Sequence, residues 1–388
     1  MKRLLRPVSA VLAGIYATRR SMTGGPGYRG PRSDHFDGEV FSNQCAGAGK
    51  SFADFWRWQR TRKPALWPAW VENRAHPDIA RALAPGEAAL TFINHITFLI
   101  QYPGLNVLTD PVYSERVSPV PWAGPRRVRA PGLAFEALPP VDIVLVSHNH
   151  YDHLDLETLR RLYESHAPRV VTGLGNAAFL TAHGVGNVIE LDWWQRTVVG
   201  GAEITFTPAQ HWSGRGLRGR NRTLWGGFVV RVGAGTLCFA GDTGYGGHFT
   251  EIARRLGSPD VALLPIGAYA PRWFMQEQHM DPDDAVRAHL DLEAKLSIAT
   301  HFGCFQLTDE GFDDPVIELA TALARRSVPA GHFRALEVGE TLRVGEAIGQ
   351  QRDRAPVAAV RTRPGDPRAA QLRNTGSGPR NSTVWRRS

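Results

Sequence analysis

The string Ser147-His148-Asn149-His150-Tyr151-Asp152-His153 constrains this chain more than any other stretch. It follows Val141-Asp142-Ile143-Val144-Leu145-Val146, an apolar, β-branched run of a length that suits a buried strand. Ligand-type side chains crowded at the tip of such a strand call for a loop held at the edge of a rigid sheet. Imidazole and carboxylate together suit Zn2+ and other first-row divalent ions. Three further runs end in the same way. Glu203-Ile204-Thr205-Phe206-Thr207-Pro208 leads to Gln210-His211-Trp212, and Thr236-Leu237-Cys238-Phe239-Ala240 leads to Gly241-Asp242-Thr243-Gly244. Ser297-Ile298-Ala299-Thr300 leads to His301-Phe302-Gly303. Glycine near these tips permits the backbone angles and close approach that a metal loop needs.

Between the ends of the chain, β-type runs alternate with helical patterns. Strands are expected near 90–93, 97–101, 106–109, 141–146, 170–172, 203–207, 226–232, 236–240, 261–266 and 297–300. Helices are expected near 155–165, 174–183, 248–256, 281–292 and 314–326, the first with an apolar stripe of Leu156, Leu159, Leu162 and Tyr163. Short hairpins plus strand–helix units argue for an α/β fold, two mixed β-sheets packed face to face with helices outside, an αββα sandwich.

The order H-x-H-x-D-H, His, Asp, His resembles that of the metallo-β-lactamase superfamily. Leu108-Thr109-Asp110-Pro111, Gly124-Pro125-Arg126-Arg127, Leu138-Pro139-Pro140, Leu191-Asp192-Trp193-Trp194 and Ala240-Gly241-Asp242-Thr243-Gly244-Tyr245 are similar to one branch of it. So is the run from Pro265 through Pro271-Arg272-Trp273-Phe274-Met275. That branch is the N-acyl-phosphatidylethanolamine-hydrolysing phospholipase D family with its bacterial relatives, and the likeness covers roughly residues 90 to 345. The resemblance implies the same sandwich fold. It implies one metal held by His148, His150 and His211, a second by Asp152, His153 and His301, and Asp242 bridging the two. The family's Gly-His-Ala-Thr stands here as Asn94-His95-Ile96-Thr97, a departure that leaves the role of this first loop open.

The chemistry follows from the ligand types. Two metals about 3.5–4 Å apart can clamp the attacking and leaving oxygens of a displacement, and a bridging water whose pKa falls to about 7 is hydroxide without a separate base. Phosphodiester hydrolysis fits such a site, because cations neutralise phosphoryl oxygens. Two Zn2+ per chain are expected, with Mn2+ or Fe2+ served by the same ligands. Asp152, Asp242 and His279 are the residues expected in catalysis. His279 precedes Asp281-Pro282-Asp283-Asp284, a helix cap and first turn, and is a candidate substrate contact or proton donor on a loop. Tyr151, Trp212, Trp273 and Phe274 are candidates for an apolar substrate cleft, and Arg126 and Arg127 for phosphate contacts.

The net charge of +8 is misleading until it is located. Residues 1–20 carry +5 and residues 352–388 carry +7, so the remaining body holds −4. A nuclease would carry positive charge on its folded surface, so nucleic acid is disfavoured. Basic ends on an acidic body fit an anionic membrane surface, and a peripheral, membrane-associated enzyme of the cytoplasm or cell envelope is expected. Residues 1–20 read either as a signal-peptide segment or as an amphipathic surface anchor. Residues 21–88 read as an extension packed on the core, 89–351 as the metallo-hydrolase domain, and 352–388 as a disordered basic tail. Ala46-Gly47-Ala48-Gly49-Lys50-Ser51 fails as a phosphate loop, since its first glycine would fall at Gln44. Cys45, Cys238 and Cys304 form no disulfide framework.

The expected activity is hydrolysis of N-acyl-phosphatidylethanolamine-like lipids. The alternatives are a hydrolase of another bond (a nucleic-acid phosphodiester, lactone, thioester or β-lactam) and a non-catalytic metal-binding scaffold. The partner is a lipid or other small-molecule phosphodiester, and a homodimer is compatible with the sequence.

Overall fold

A computed structural model describes residues 25, 27–44, 50–216 and 219–345. The contacts divide the chain into Met1–Ile348 and Gly349–Ser388, and the second unit lies outside the described residues, as does the segment 1–20.

The first unit is built on two seven-stranded sheets. β1 (Ala88–Asn94), β2 (Thr97–Tyr102) and β3 (Leu105–Thr109) form an antiparallel meander, and β4 (Ile143–Val146), β5 (Arg169–Gly173) and β6 (Val188–Leu191) add parallel strands beyond it. The second sheet repeats this with β7 (Arg196–Val199), β8 (Ala202–Thr207), β9 (Gly227–Val232) and β10 (Gly235–Phe239) antiparallel, then β11 (Val261–Pro265), β12 (Leu296–Thr300) and β13 (Phe333–Arg334) parallel. β14 (Thr341–Val344) returns to close the first sheet beside β1.

Strands buried on both faces explain the layers. Phe92, Phe98, Leu145, Phe206, Phe228, Phe239 and Leu263 fill the space between the sheets. Burying each such side chain contributes about 1.5–3 kcal/mol. On the outer face of the first sheet, Val144, Val146 and Val170 pack against helix Leu156–His166, whose Leu159 and Leu162 point inward. Asp155 caps that helix by accepting from Thr158 N. On the outer face of the second, Ala262, Leu264 and Ala299 meet helices His248–Leu256, Pro282–Asp291 and Asp314–Arg325. The layers run helix, sheet, sheet, helix, the α/β sandwich expected from the sequence.

Two α-helices were not foreseen, the single turn Arg272–Met275 and a longer one in the N-terminal extension. Phe52–Thr61 is nucleated by a capping box in which Ser51 and Asp54 satisfy each other's backbone N–H groups. The hydroxyl that completed the rejected phosphate-loop string therefore serves a helix end. Among the described residues no helix is long and apolar enough to cross a membrane.

Candidate metal centre

The tips of β4, β8, β10 and β12 converge at one end of the sandwich. The loop after β4 brings His148 and His150 together, with His148 Nε2 2.7 Å from His150 Nδ1. His211, beyond β8, places its Nε2 3.3 Å from the same Nδ1. Three ring nitrogens thus face one point. Beside them stands a second group, in which His153 Nε2 lies 3.5 Å and His301 Nε2 3.4 Å from Asp152 Oδ2. Asp242 Oδ2 lies between the groups, 3.1 Å from His153 Nε2, 3.3 Å from His301 Nε2 and 3.8 Å from His211 Nε2. All seven residues named from the sequence are brought together.

The backbone at these tips is unusual. His301 has φ 61°, Asp110 φ 30° and His95 φ 47°, in the left-handed region that side chains rarely adopt. Gly267 is needed for close approach, since a Cβ there would stand 2.0 Å from His301 O. Gly241, at φ 62°, lets the chain turn into Asp242 where a Cβ would meet Ser147 at 2.7 Å.

Ring orientations are fixed from behind. His153 Nδ1 lies 2.7 Å from the buried Asp110 Oδ2, and His211 Nδ1 lies 2.9 Å from Gln278 O. A carboxylate and a carbonyl only accept, so each Nδ1 carries a hydrogen, and in the neutral ring Nε2 is the lone pair free to meet a metal. Asp110 also accepts from Ser147 N and Ser147 Oγ, at 2.7 and 2.5 Å. Arg215, buried under the ligand loop, donates from Nη1 to Asn149 O and Leu154 O and stacks on Tyr151.

These residues fit divalent ions. His153 Nε2, His301 Nε2 and Asp242 Oδ1 are buried without a hydrogen-bond partner among the described residues. The 3.1 Å approach of His153 to Asp242 is an ionic contact without hydrogen-bond geometry. Burial drives the His150 imidazole to about 3 and holds His148 and His211 well below the ordinary histidine value, so all three offer neutral rings. His301 behaves oppositely: burial opposes its charge, but Asp242 and Asp152 carry it up to about 9. His153 is likewise held well above its ordinary value, against burial, by Asp242 and Asp152. Burial works against the charge of those carboxylates too, yet the imidazoles hold both far below the usual range. The site therefore demands positive charge between Asp152 and Asp242.

The other residues named from the sequence divide between the site and more distant places. His279 sits at the rim with Nδ1 3.8 Å from Asp242 Oδ2, and burial lowers its imidazole to about 4. Trp212 sets its ring 4.2 Å from that of His150, and Tyr151 is half-buried beneath Arg215. Phe274 is stacked on Trp58 of the N-terminal helix at 5.0 Å, with Trp273 half-buried beside it. Arg126 is exposed and paired with Glu115. Arg127 is buried and spent on Ser114 O and Val112 O, so its guanidinium braces a loop. Two neighbours, quoted above only within family-like segments, were not named as site residues. His95 places Nε2 3.3 Å from Asp152 Oδ2 and its ring 4.1 Å from that of His301. Asp110 follows a strand end as the ligands do, which was the signal available for it.

The family model described as a Beta-lactamase superfamily domain matches residues 105–302. The N-acyl-phosphatidylethanolamine-hydrolyzing phospholipase D 1 of Caenorhabditis elegans is 37% identical over 264 residues, which is 64% of this chain and 74% of that protein. An uncharacterized protein of Mycobacterium tuberculosis is 40% identical over 266 residues, 67% of this chain and 70% of its own length. Among solved structures, an isothiocyanate hydrolase from Delia radicum gut bacteria shares the fold, with TM-score 0.53 and 21% identity over 66% of this chain and 99% of that one. Converging ligands, sandwich topology and these likenesses lead to one assignment: the chain belongs to the metallo-β-lactamase superfamily, as a metal-dependent hydrolase of the branch that includes the N-acyl-phosphatidylethanolamine-hydrolysing phospholipases D.

Proposed function

We propose that the protein is a zinc-dependent phosphodiesterase of phospholipase D type acting on N-acyl-phosphatidylethanolamine-like lipids. The observation that carries this reading is Asp242 Oδ2, which faces His153, His301, His211 and His279 from the seam between two ligand groups. His148, His150 and His211 would hold one ion, Asp152, His153 and His301 the other, with Asp242 shared. Bound there, divalent ions supply Lewis acidity toward phosphoryl oxygens and acidify water.

The chain's own side chains do the rest. Asp110 and Gln278 O keep the His153 and His211 rings aimed inward. His279, with burial lowering its pKa to about 4, meets substrate as a neutral imidazole at pH 7 and can donate one hydrogen bond to a leaving oxygen. Trp212, Tyr151 and Trp273 offer half-buried aromatic surface for acyl chains. In this reading residues 89–351 carry the chemistry, and the basic segments 1–20 and 352–388 favour an anionic lipid surface.

The test is an assay of purified, zinc-loaded protein on vesicles of N-acyl-phosphatidylethanolamine, with RNA and a chromogenic β-lactam in parallel. Phosphatidic acid and the acyl ethanolamide are the expected products. Turnover of RNA or the lactam alone would overturn the lipid reading.

A further inference from the structure

His211 stands where the chain has already left its sheet, since β8 ends at Thr207. Its buried main-chain N–H and C=O still need partners. Both come from one side chain far away in sequence. His211 N donates to Asn43 Oδ1 at 3.0 Å, and Asn43 Nδ2 donates to His211 O at 2.8 Å. The amide thus imitates the edge of a neighbouring strand. Trp225 Nε1, on a buried indole, donates to the same Oδ1 at 3.0 Å and fixes the amide's orientation. On the other flank, Gly244 N donates to Gln210 O at 2.8 Å, tying the preceding residue to the Asp242 loop.

We infer that Asn43 is a positioning residue for the metal ligand His211, so that a segment N-terminal to the sandwich completes the metal centre. The inference rests on the reading of His211 as a ligand. Asparagine is the residue this geometry requires. Aspartate has the same shape but no hydrogen to give His211 O, and alanine supplies neither contact. The segment itself is anchored elsewhere. Phe36 and Phe41 lie in the core between the sheets, His35 Nε2 pairs with Asp192 at 2.7 Å, and Phe41 N donates to Asn221 O at 2.7 Å. Changing Asn43 therefore removes the clamp and leaves the segment in place.

The experiment titrates metal-stripped full-length protein with Zn2+ against a chromophoric chelator, then measures kcat and KM after loading. Asn43→Ala and Asn43→Asp are expected to weaken zinc binding by about 10–100-fold, the usual cost of losing an outer partner of a ligand. In both variants kcat should fall while KM holds. His35→Ala, which loosens the same segment without touching His211, should lower the melting temperature and keep wild-type zinc affinity. Wild-type zinc affinity in both Asn43 variants overturns the inference. Should Asn43→Ala fail to fold, the isosteric Asn43→Asp decides alone. Wild-type protein that takes up no zinc would refute the proposed function itself, a result distinct from uptake that neither variant diminishes.

Discussion

In the first sheet, counted from its antiparallel edge, the second, fourth and fifth strands lead to His95, Asp110 and the string His148–His153. In the second sheet the corresponding strands lead to His211, Asp242 and Ile266-Gly267-Ala268, and the sixth leads to His301. The pairing order is the same in both, three antiparallel contacts followed by three parallel ones. The division of labour is not. One half concentrates its candidate ligands in a single loop, with Asp110 behind His153 and His95 beside Asp152. The other spreads His211, Asp242 and His301 over three strand tips. A concentrated loop needs bracing against collapse, whereas scattered ligands need three strands in register. The first half's site is therefore a local structure with props, and the second half's is a product of the whole fold.

Asp242→Ala strikes this contrast hardest. It removes the oxygen facing both ligand groups, so metal content and turnover should both fall by more than the roughly 10–100-fold expected for an outer partner. Elemental analysis and kcat check it; retention of both would make the two halves independent. Asp110→Ala tests the bracing of the concentrated loop. It strands Ser147 N, Ser147 Oγ and His153 Nδ1 in a buried place, and urea unfolding should show a loss of about 3–5 kcal/mol. A loss well under 1 kcal/mol would show that the loop stands without props.

The sequence made the middle of each sheet plain and its margins invisible. Every interior strand, from β1 to β5 and β8 to β12, was expected within a residue or two of where it lies. The strands that escaped, β6, β7, β13 and β14, are the four sheet edges. Interior strands are covered on both faces and read as continuous apolar runs, while β7 alternates exposed and half-buried positions and β6 is mostly half-buried. The site divides in the same way. Side chains of the ligand type advertise themselves at strand tips. Asn43, Arg215 and Asp110 are ordinary polar residues until folding sets them behind a ligand. Arg127 shows the reverse: its charge suggested a phosphate partner, and the fold uses it on carbonyls.

A smaller effect concerns the attachment of segment 27–44 near the seam between the sheets. Burial disfavours charge on His35, but the hydrogen bonds its ring donates to Asp192 and Asp34 raise its pKa above the ordinary histidine value. The stability this pair contributes is fully present below pH 6.5 or so and is lost as pH rises through the raised value. Unfolding free energies from urea titration should decline by about 1 kcal/mol or less across that window, and His35→Gln should flatten the curve. A wild-type profile rising with pH there would contradict the sign. Smallest of all is Arg126→Ala: its exposed pair with Glu115 should be worth under about 1 kcal/mol in thermal unfolding, and a larger drop would mean the loop matters to the first half's frame.

Anomalous scattering from crystals of metal-loaded protein, with elemental analysis of the same sample, tests the central claim most directly. Two ions per chain are expected, one among His148, His150 and His211 and one among Asp152, His153 and His301, with Asp242 touching both. No bound transition metal, or a metal held away from Asp242, would contradict it.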